Sequence, residues 1–207
     1  MFLGVPKSAA LLGLLLAVSP VLRAASVVID FESFNSLDSI TNQIPGLTFT
    51  DATILTAGVT LNEAEFPPYS GVNVVLDDGG PMTIAFDTPT DSVGGYFNYT
   101  EPFTMTAFDA SDTEVAVADS LFSSNDALFG DPGSSPDEYI SVAWASGISS
   151  VVLEADPGGS SFTLDNLTYD ASSSSSTPEP GTMALFVLGT TGLIFWRAGG
   201  RPSKANR

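Results

Sequence analysis

Between Val27 and Tyr169 apolar residues recur at every second position, in short runs, and no stretch sustains the three-to-four spacing of a helix. Val27, Ile29 and Phe31 alternate with Val28, Asp30 and Glu32, which predicts an opening strand with both acids on one face. The same reading predicts strands over Leu47–Thr50, Val72–Leu76, Met82–Asp87, Val93–Tyr99, Phe103–Asp109, Glu114–Ala118, Tyr139–Trp144, Ile148–Leu153 and Phe162–Tyr169. Asp77–Gly80, Asp109–Asp112 and Asp156–Gly159 carry turn chemistry and read as hairpin turns. Many short antiparallel strands without an internal repeat predict an all-β, antiparallel β-sandwich of jelly-roll type over residues 26–170.

Both ends break this pattern. Residues 1–25 read as a secretory signal peptide: Lys7, then an apolar run with five leucines between Leu11 and Leu16, Pro20, and small residues at Ala24-Ala25. Residues 171–177 are a Ser-rich linker. Residues 178–207 begin with Pro178-Glu179-Pro180 and continue into the apolar run Gly181–Trp196. Those sixteen residues span about 24 Å as a helix, a single transmembrane helix once Arg197 snorkels. Trp196 suits the membrane interface, and Arg197, Arg201, Lys204 and Arg207 form a basic tail that stays cytoplasmic. The sandwich is therefore expected outside the inner membrane.

Charge sharpens this division. The chain has 24 carboxylates, 6 Lys and Arg, no His and no Cys. All six cations lie in the two end segments, whereas 23 of the 24 carboxylates lie between Ser26 and Ser176. The body can form no salt bridge between its side chains, and it is a poor partner for nucleic acid or anionic lipid. Nucleophilic triads, thiolate chemistry, Schiff-base lysines and arginine-clamped phosphoryl transfer each lack a member. A carboxylate pair of glycosidase type is the enzymatic option left, and the expectation is a protein that is not an enzyme.

The order of signal peptide, β-rich body, Ser-rich spacer, Pro178-Glu179-Pro180, apolar helix and basic terminus resembles bacterial PEP-CTERM proteins. The resemblance implies a Gram-negative host and processing by an exosortase near Pro178–Pro180. It also implies a precursor anchored in the inner membrane and delivery to the cell surface or extracellular matrix, in systems associated with exopolysaccharide and biofilm. Basic residues spread along the tail, instead of clustered after the helix, depart from the usual pattern. The body resembles β-sandwich domains common in that group, with Val28–Glu32, Gly94–Phe97 and Phe162–Leu167 as the shared stretches.

Two sets of residues are candidates for chemistry. Asp30, Glu32 and Asp165 offer hard oxygens for a structural calcium ion, and Asp165 is expected on the face that carries Leu167 and Tyr169. Carbohydrate-binding jelly rolls hold calcium between the first and last strands, and that resemblance suggests Glu32 and Asp165. The other reading has Asp30 and Glu32 solvated and Asp165 accepting backbone hydrogen bonds. Phe66, Tyr69, Tyr96 and Asn98 are candidates for saccharide binding, while Trp144, two residues after Val142, is expected in the core. Two functions follow as expectations: a surface or matrix protein without enzymatic activity, or a module that binds an exopolysaccharide.

Overall fold

The computed structural model describes residues 25–170, and the signal peptide, linker, sorting segment and transmembrane helix expected from the sequence lie outside them. The described residues form nine strands and no helix: β1 (Ser26–Ile29), β2 (Leu47–Thr50), β3 (Ala52–Thr56), β4 (Asn73–Asp77), β5 (Met82–Tyr99), β6 (Thr104–Phe108), β7 (Glu114–Asp119), β8 (Glu138–Glu154) and β9 (Phe162–Asp170). Every pairing is antiparallel. The long strands β5 and β8 pair twice, once on each side of a break. Met82–Ala85 meets Ser150–Leu153, and Ser92–Phe97 meets Glu138–Ala143.

The break divides the strands into two layers. The first sheet runs β2, early β5, late β8, β6, β7. The second runs early β8, late β5, β9, β4, β3, with β1 on the far end of β9. Each long strand supplies one segment to each layer, which gives the double Greek-key connectivity of a jelly roll. The corner is made by Pro89 in β5 and Gly147 in β8. A Cβ on Gly147 would lie 2.9 Å from Pro89 Cβ, and the φ of +101° there suits only glycine.

This topology corrects several expectations. Asp77–Gly80 and Asp156–Gly159 are not hairpin turns, because β4 does not pair with β5 nor β8 with β9; both are crossings between layers. Asp109–Asp112 does join a hairpin, β6 to β7. The runs at 82–87 and 93–99 are one bent strand, as are 139–144 and 148–153. β3 was hidden by Asp51 at φ +56°, which bends the chain from β2 in the first layer into β3 in the second without a glycine. Trp144 is not a core residue: it is 42% exposed, because residues 144–147, between the paired Ala143 and Ile148, turn the corner.

Between the layers lies an apolar core that includes Phe49, Ile54, Val75, Ile84, Phe97, Phe103, Met105, Val151, Phe162 and Leu164. Phe97, Phe103 and Phe162 form an aromatic cluster, with centroids 4.4 Å apart for Phe97–Phe103 and 5.0 Å for Phe103–Phe162. Burial of each such ring stabilises the fold by about 2–3 kcal/mol.

Two buried polar side chains close the ends of strands. Asp77 accepts from Ser161 N (2.9 Å), Ser161 Oγ (2.9 Å) and Phe162 N (3.0 Å), tying the end of β4 to the start of β9. Burial pushes its carboxyl above the usual range, against the pull of those donors. Asn125 accepts from Tyr99 N (2.7 Å) and donates to Phe97 O (2.8 Å), so a loop side chain completes the end of β5. Among the described residues no buried side-chain nitrogen or oxygen lacks a partner.

Candidate binding face on the second sheet

The loop over 62–71 is laid against the outer face of the second sheet and held there by four side chains. Asn98 Nδ2 donates to Pro67 O (2.8 Å), and Asp165 Oδ2 accepts from Ser70 N (2.7 Å). Ser70 Oγ donates to Asn166 Oδ1 (2.9 Å). Glu32 Oε1 accepts from Val72 N (3.0 Å) and Asn73 N (2.9 Å). Prolines at 67 and 68 keep the segment from pairing as a strand, so side chains take over the donors and acceptors that a neighbour would have used.

Asp165 reaches this outer face through a bulge. Asn166 has φ +49°, and the β5–β9 register shifts between Gly94 and Tyr96. The extra residue reverses the alternation. Leu164 and Leu167 both point into the core, and Asp165 lies opposite Tyr96, away from Leu167. The expectation that Asp165 shares a face with Leu167 and Tyr169 is thereby corrected. Asp30 and Glu32 also fall outside their predicted strand. β1 ends at Ile29, Phe31 takes φ +59°, and Asp30 Oδ1 accepts from Glu32 N (3.2 Å) in a tight turn.

Three carboxylates gather beneath the loop without a cation. Burial raises Asp165 most, to about 6, and Glu32 and Asp137 add repulsion, while amides of Ser70 and Asn166 pull the other way. Asp137, itself raised by burial, accepts from Asn98 Nδ2 (3.1 Å) and donates its own N–H to Asn98 Oδ1 (2.7 Å). Asn98 is buried and fully occupied by these bonds, so it positions the loop from below. The donor chemistry of Glu32 and Asp165 suits a hard cation and not zinc. Among the described residues, however, no three His, Cys, Asp or Glu side chains are placed as a group to hold a metal ion.

Above these carboxylates stands a row of tyrosines. Tyr69 stacks on Tyr96 with centroids 3.4 Å apart and planes 7° apart, and Tyr139 packs against Tyr96 at 5.1 Å and 60°. Tyr96 is half-buried, whereas Tyr69 is 46% and Tyr139 49% exposed. The Tyr96 hydroxyl is raised first by its hydrogen bond with Tyr69 and then by burial. Tyr139 lies across Gly94, where an added Cβ would meet its hydroxyl at 2.7 Å, so only a bare backbone leaves it room. Phe66 is half-buried in the same loop and takes no part in the row. Sequence reasoning missed Tyr139. Its signal was the alternation of Tyr139 and Ser141 with the core residues Ile140 and Val142.

A carboxyl pair does occur elsewhere. Glu65 is raised by a direct hydrogen bond to Asp126, ahead of burial.

Comparison with known proteins adds a sorting class. Residues 176–201 match the PEP-CTERM protein-sorting motif. The chain thus carries the PEP-CTERM sorting motif, the mark of an exported protein. No curated protein matches the chain. Among solved structures, it is similar to the K1 cleaved adhesin domain of Lys-gingipain from Porphyromonas gingivalis W83, at 10% identity and TM-score 0.43, covering 72% of this chain and 99% of that one. It is also similar to a family 29 carbohydrate-binding module complexed with cellulohexaose, at 14% and 0.39, covering 77% and 99%. A third is CBM35 from Paenibacillus barcinonensis, at 20% and 0.34, covering 72% and 99%. At these values the likenesses carry no argument about a ligand.

Proposed function

We propose that the protein is a non-enzymatic surface or matrix component of a Gram-negative bacterium, sorted by an exosortase, whose jelly roll holds a neutral exopolysaccharide. The observation that carries this reading is the open tyrosine row. Tyr69 and Tyr139 offer apolar ring surface to solvent, and Tyr96 braces both. Sugar rings present C–H faces to such surfaces and hydroxyls to hydrogen-bonding groups around them. A body with 23 carboxylates and no cation repels uronate, sulfate and phosphate, which leaves neutral sugars. On a glycan array the protein is expected to bind neutral polysaccharide and to ignore polyuronates. Tyr69→Ala and Tyr139→Ala each weaken binding by about tenfold, on the order of 1.4 kcal/mol, whereas Trp144→Ala, on the corner, leaves it unchanged. The absence of saturable binding to any neutral glycan would overturn the reading.

A calcium ion at Glu32 and Asp165 belongs to the same proposal, supported by the repulsion that Glu32 adds at the buried Asp165. It would act on loop 62–71 and not as part of a reaction. Millimolar calcium is expected to raise the melting temperature of the protein, and Asp165→Asn to abolish the rise. No shift in the parent protein excludes the ion.

A further inference from the structure

Leu128 and Phe129 are 56% and 80% exposed, and among the described residues no other large apolar side chains are left so open at consecutive positions. Single exposed apolar residues are ordinary, but a pair on a firmly built turn is not. This turn is fixed from inside by the buried Asp126. Asp126 Oδ1 accepts from Leu128 N (2.6 Å) and Phe129 N (2.9 Å), and Asp126 O accepts from Gly130 N (2.9 Å). A Cβ on Gly130 would lie 2.5 Å from Asp126 O, so the chain leaving Phe129 fits only a bare backbone. Asp131 Oδ2 accepts from Ser123 N (2.8 Å) and closes the loop at its base. The backbone under Phe129 is thereby set before a ligand arrives, which leaves little ordering to be lost there on binding.

The tip adjoins the loop that carries Tyr69. Ala127 N donates to Glu65 O (3.0 Å), and the Glu65 and Asp126 carboxyls are hydrogen-bonded to each other. From Glu65 the chain passes through the half-buried Phe66, Pro67 and Pro68 to Tyr69. Asn98 holds Pro67, whereas Asp165, opposite Tyr96, holds Ser70. The loop therefore runs along late β5, from the end of that strand back to the tyrosine row. Tyr99, whose N–H Asn125 accepts, lies about 10 Å past Tyr96 along the strand. Leu128 and Phe129 stand at that end, with partly exposed apolar residues at each step between Glu65 and Tyr69.

Two other occupants of the tip fit less well. Ser26 pairs with Asp170 at the corner end of β9, so the chain enters and leaves the domain at the end opposite the tip. A membrane gripped by the tail is then on the far side. A second copy seated tip to tip brings Glu65, Asp126 and Asp131 against their own copies with no cation between them. A neutral sugar meets neither obstacle. Its C–H face suits the phenyl ring, and the exposed Asn62 and Glu63, in the turn next to Glu65, offer partners for hydroxyls.

On the saccharide reading above, on which this depends, we infer that Phe129, with Leu128 beside it, is a second sugar platform. The site then takes a polysaccharide stretch several sugars long, lying along late β5 from the tyrosine row to the tip of loop 120–137, and not a single terminal sugar.

The probe is the neutral polymer that binds best on the glycan array, hydrolysed and fractionated to its disaccharide and hexasaccharide. Each is titrated calorimetrically against the full-length chain in nanodiscs of zwitterionic lipid. The parent is expected to bind the hexasaccharide about tenfold more tightly than the disaccharide. Phe129→Ala should remove most of that gain and leave the disaccharide unchanged, Phe129→Trp should keep the gain, and Tyr69→Ala should weaken both lengths alike. If Phe129→Ala melts well below the parent, Phe129→Leu, which keeps the bulk without the ring, takes its place with the same expectation. No gain with length in the parent, or a gain that Phe129→Ala leaves intact, overturns the second platform, and a persisting effect of Tyr69→Ala would leave the tyrosine row standing. Equal losses at both lengths for Phe129→Ala also overturn it. Binding of no neutral polymer on the array removes the saccharide reading and the second platform together. A parent that sediments as a dimer while Phe129→Ala is monomeric gives the tip to a second copy and overturns the sugar platform.

Discussion

Raising the pH from about 4 to about 7 is expected to destabilise the folded protein, the reverse of the common acid sensitivity of proteins whose carboxylates are paired with cations. Asp165 carries the effect. Its folded pKa of about 6 lies above its ordinary value of 3.8, so between those values the folded state binds the proton more tightly than the unfolded chain. The stabilisation is complete below the ordinary value and is lost as the pH rises through about 6. A shift of that size corresponds to about 3 kcal/mol, or on the order of 10 °C in melting temperature for a domain of this length. Burial raises Asp77 and Asp137 in the same direction. Thermal melts from pH 4 to 8 check this. The melting temperature should fall over that range, and Asp165→Asn should flatten most of the fall. A maximum near neutral pH with steep loss below pH 5 would contradict the account.

Asn125→Ala is expected to be among the most damaging single substitutions, at about 4 kcal/mol. Its side chain is the partner of Tyr99 N and Phe97 O, and removal strands both backbone groups inside the protein at about 1–3 kcal/mol each, before the cavity is counted. Asn125→Asp separates the two bonds. The carboxylate can still accept from Tyr99 N but cannot donate to Phe97 O, so it should recover only part of the loss at low pH and less at neutral pH. Chemical denaturation with an unchanged m-value would register both effects as stability. A loss below about 1 kcal/mol for Asn125→Ala would mean that water replaces the amide there.

The alternation of Phe97 and Tyr99 with Tyr96 and Asn98 was legible as a two-sided strand, because each pair keeps its face over the whole of late β5. The sandwich followed from such runs. What alternation cannot reveal is where it is interrupted. The αL residues Phe31, Asp51 and Asn166 are not glycines, and each changes direction or face where the sequence shows only a strand-like residue. Asp165 was therefore assigned to the wrong side, and β3 was unseen. The two crossings at Asp77 and Asp156 carry the same residues as hairpin turns, since turn chemistry fixes local reversal and not which layer the chain enters next. Tyr69 and Tyr96 could be named from sequence, but their stacking needed the bonds of Asn98, Asp165 and Glu32 to loop 62–71, contacts of long sequence separation with no local signature.

β9 is the last strand of the jelly roll, and the chain continues from Asp170 toward the sorting motif. It is also a central strand, flanked by β5 on one side and by β4 and β1 on the other. At its end, Ser92 Oγ donates to Asp170 Oδ2 (2.9 Å) and Thr90 Oγ1 to Asp170 O. A pull transmitted through the tail therefore runs along β9, across ladders on both flanks that share the load. An outer strand would unzip one bond at a time under the same force. The sheet that carries the tyrosine row and the chain's exit toward the sorting motif are thus joined by the strand of the second sheet best placed to resist traction.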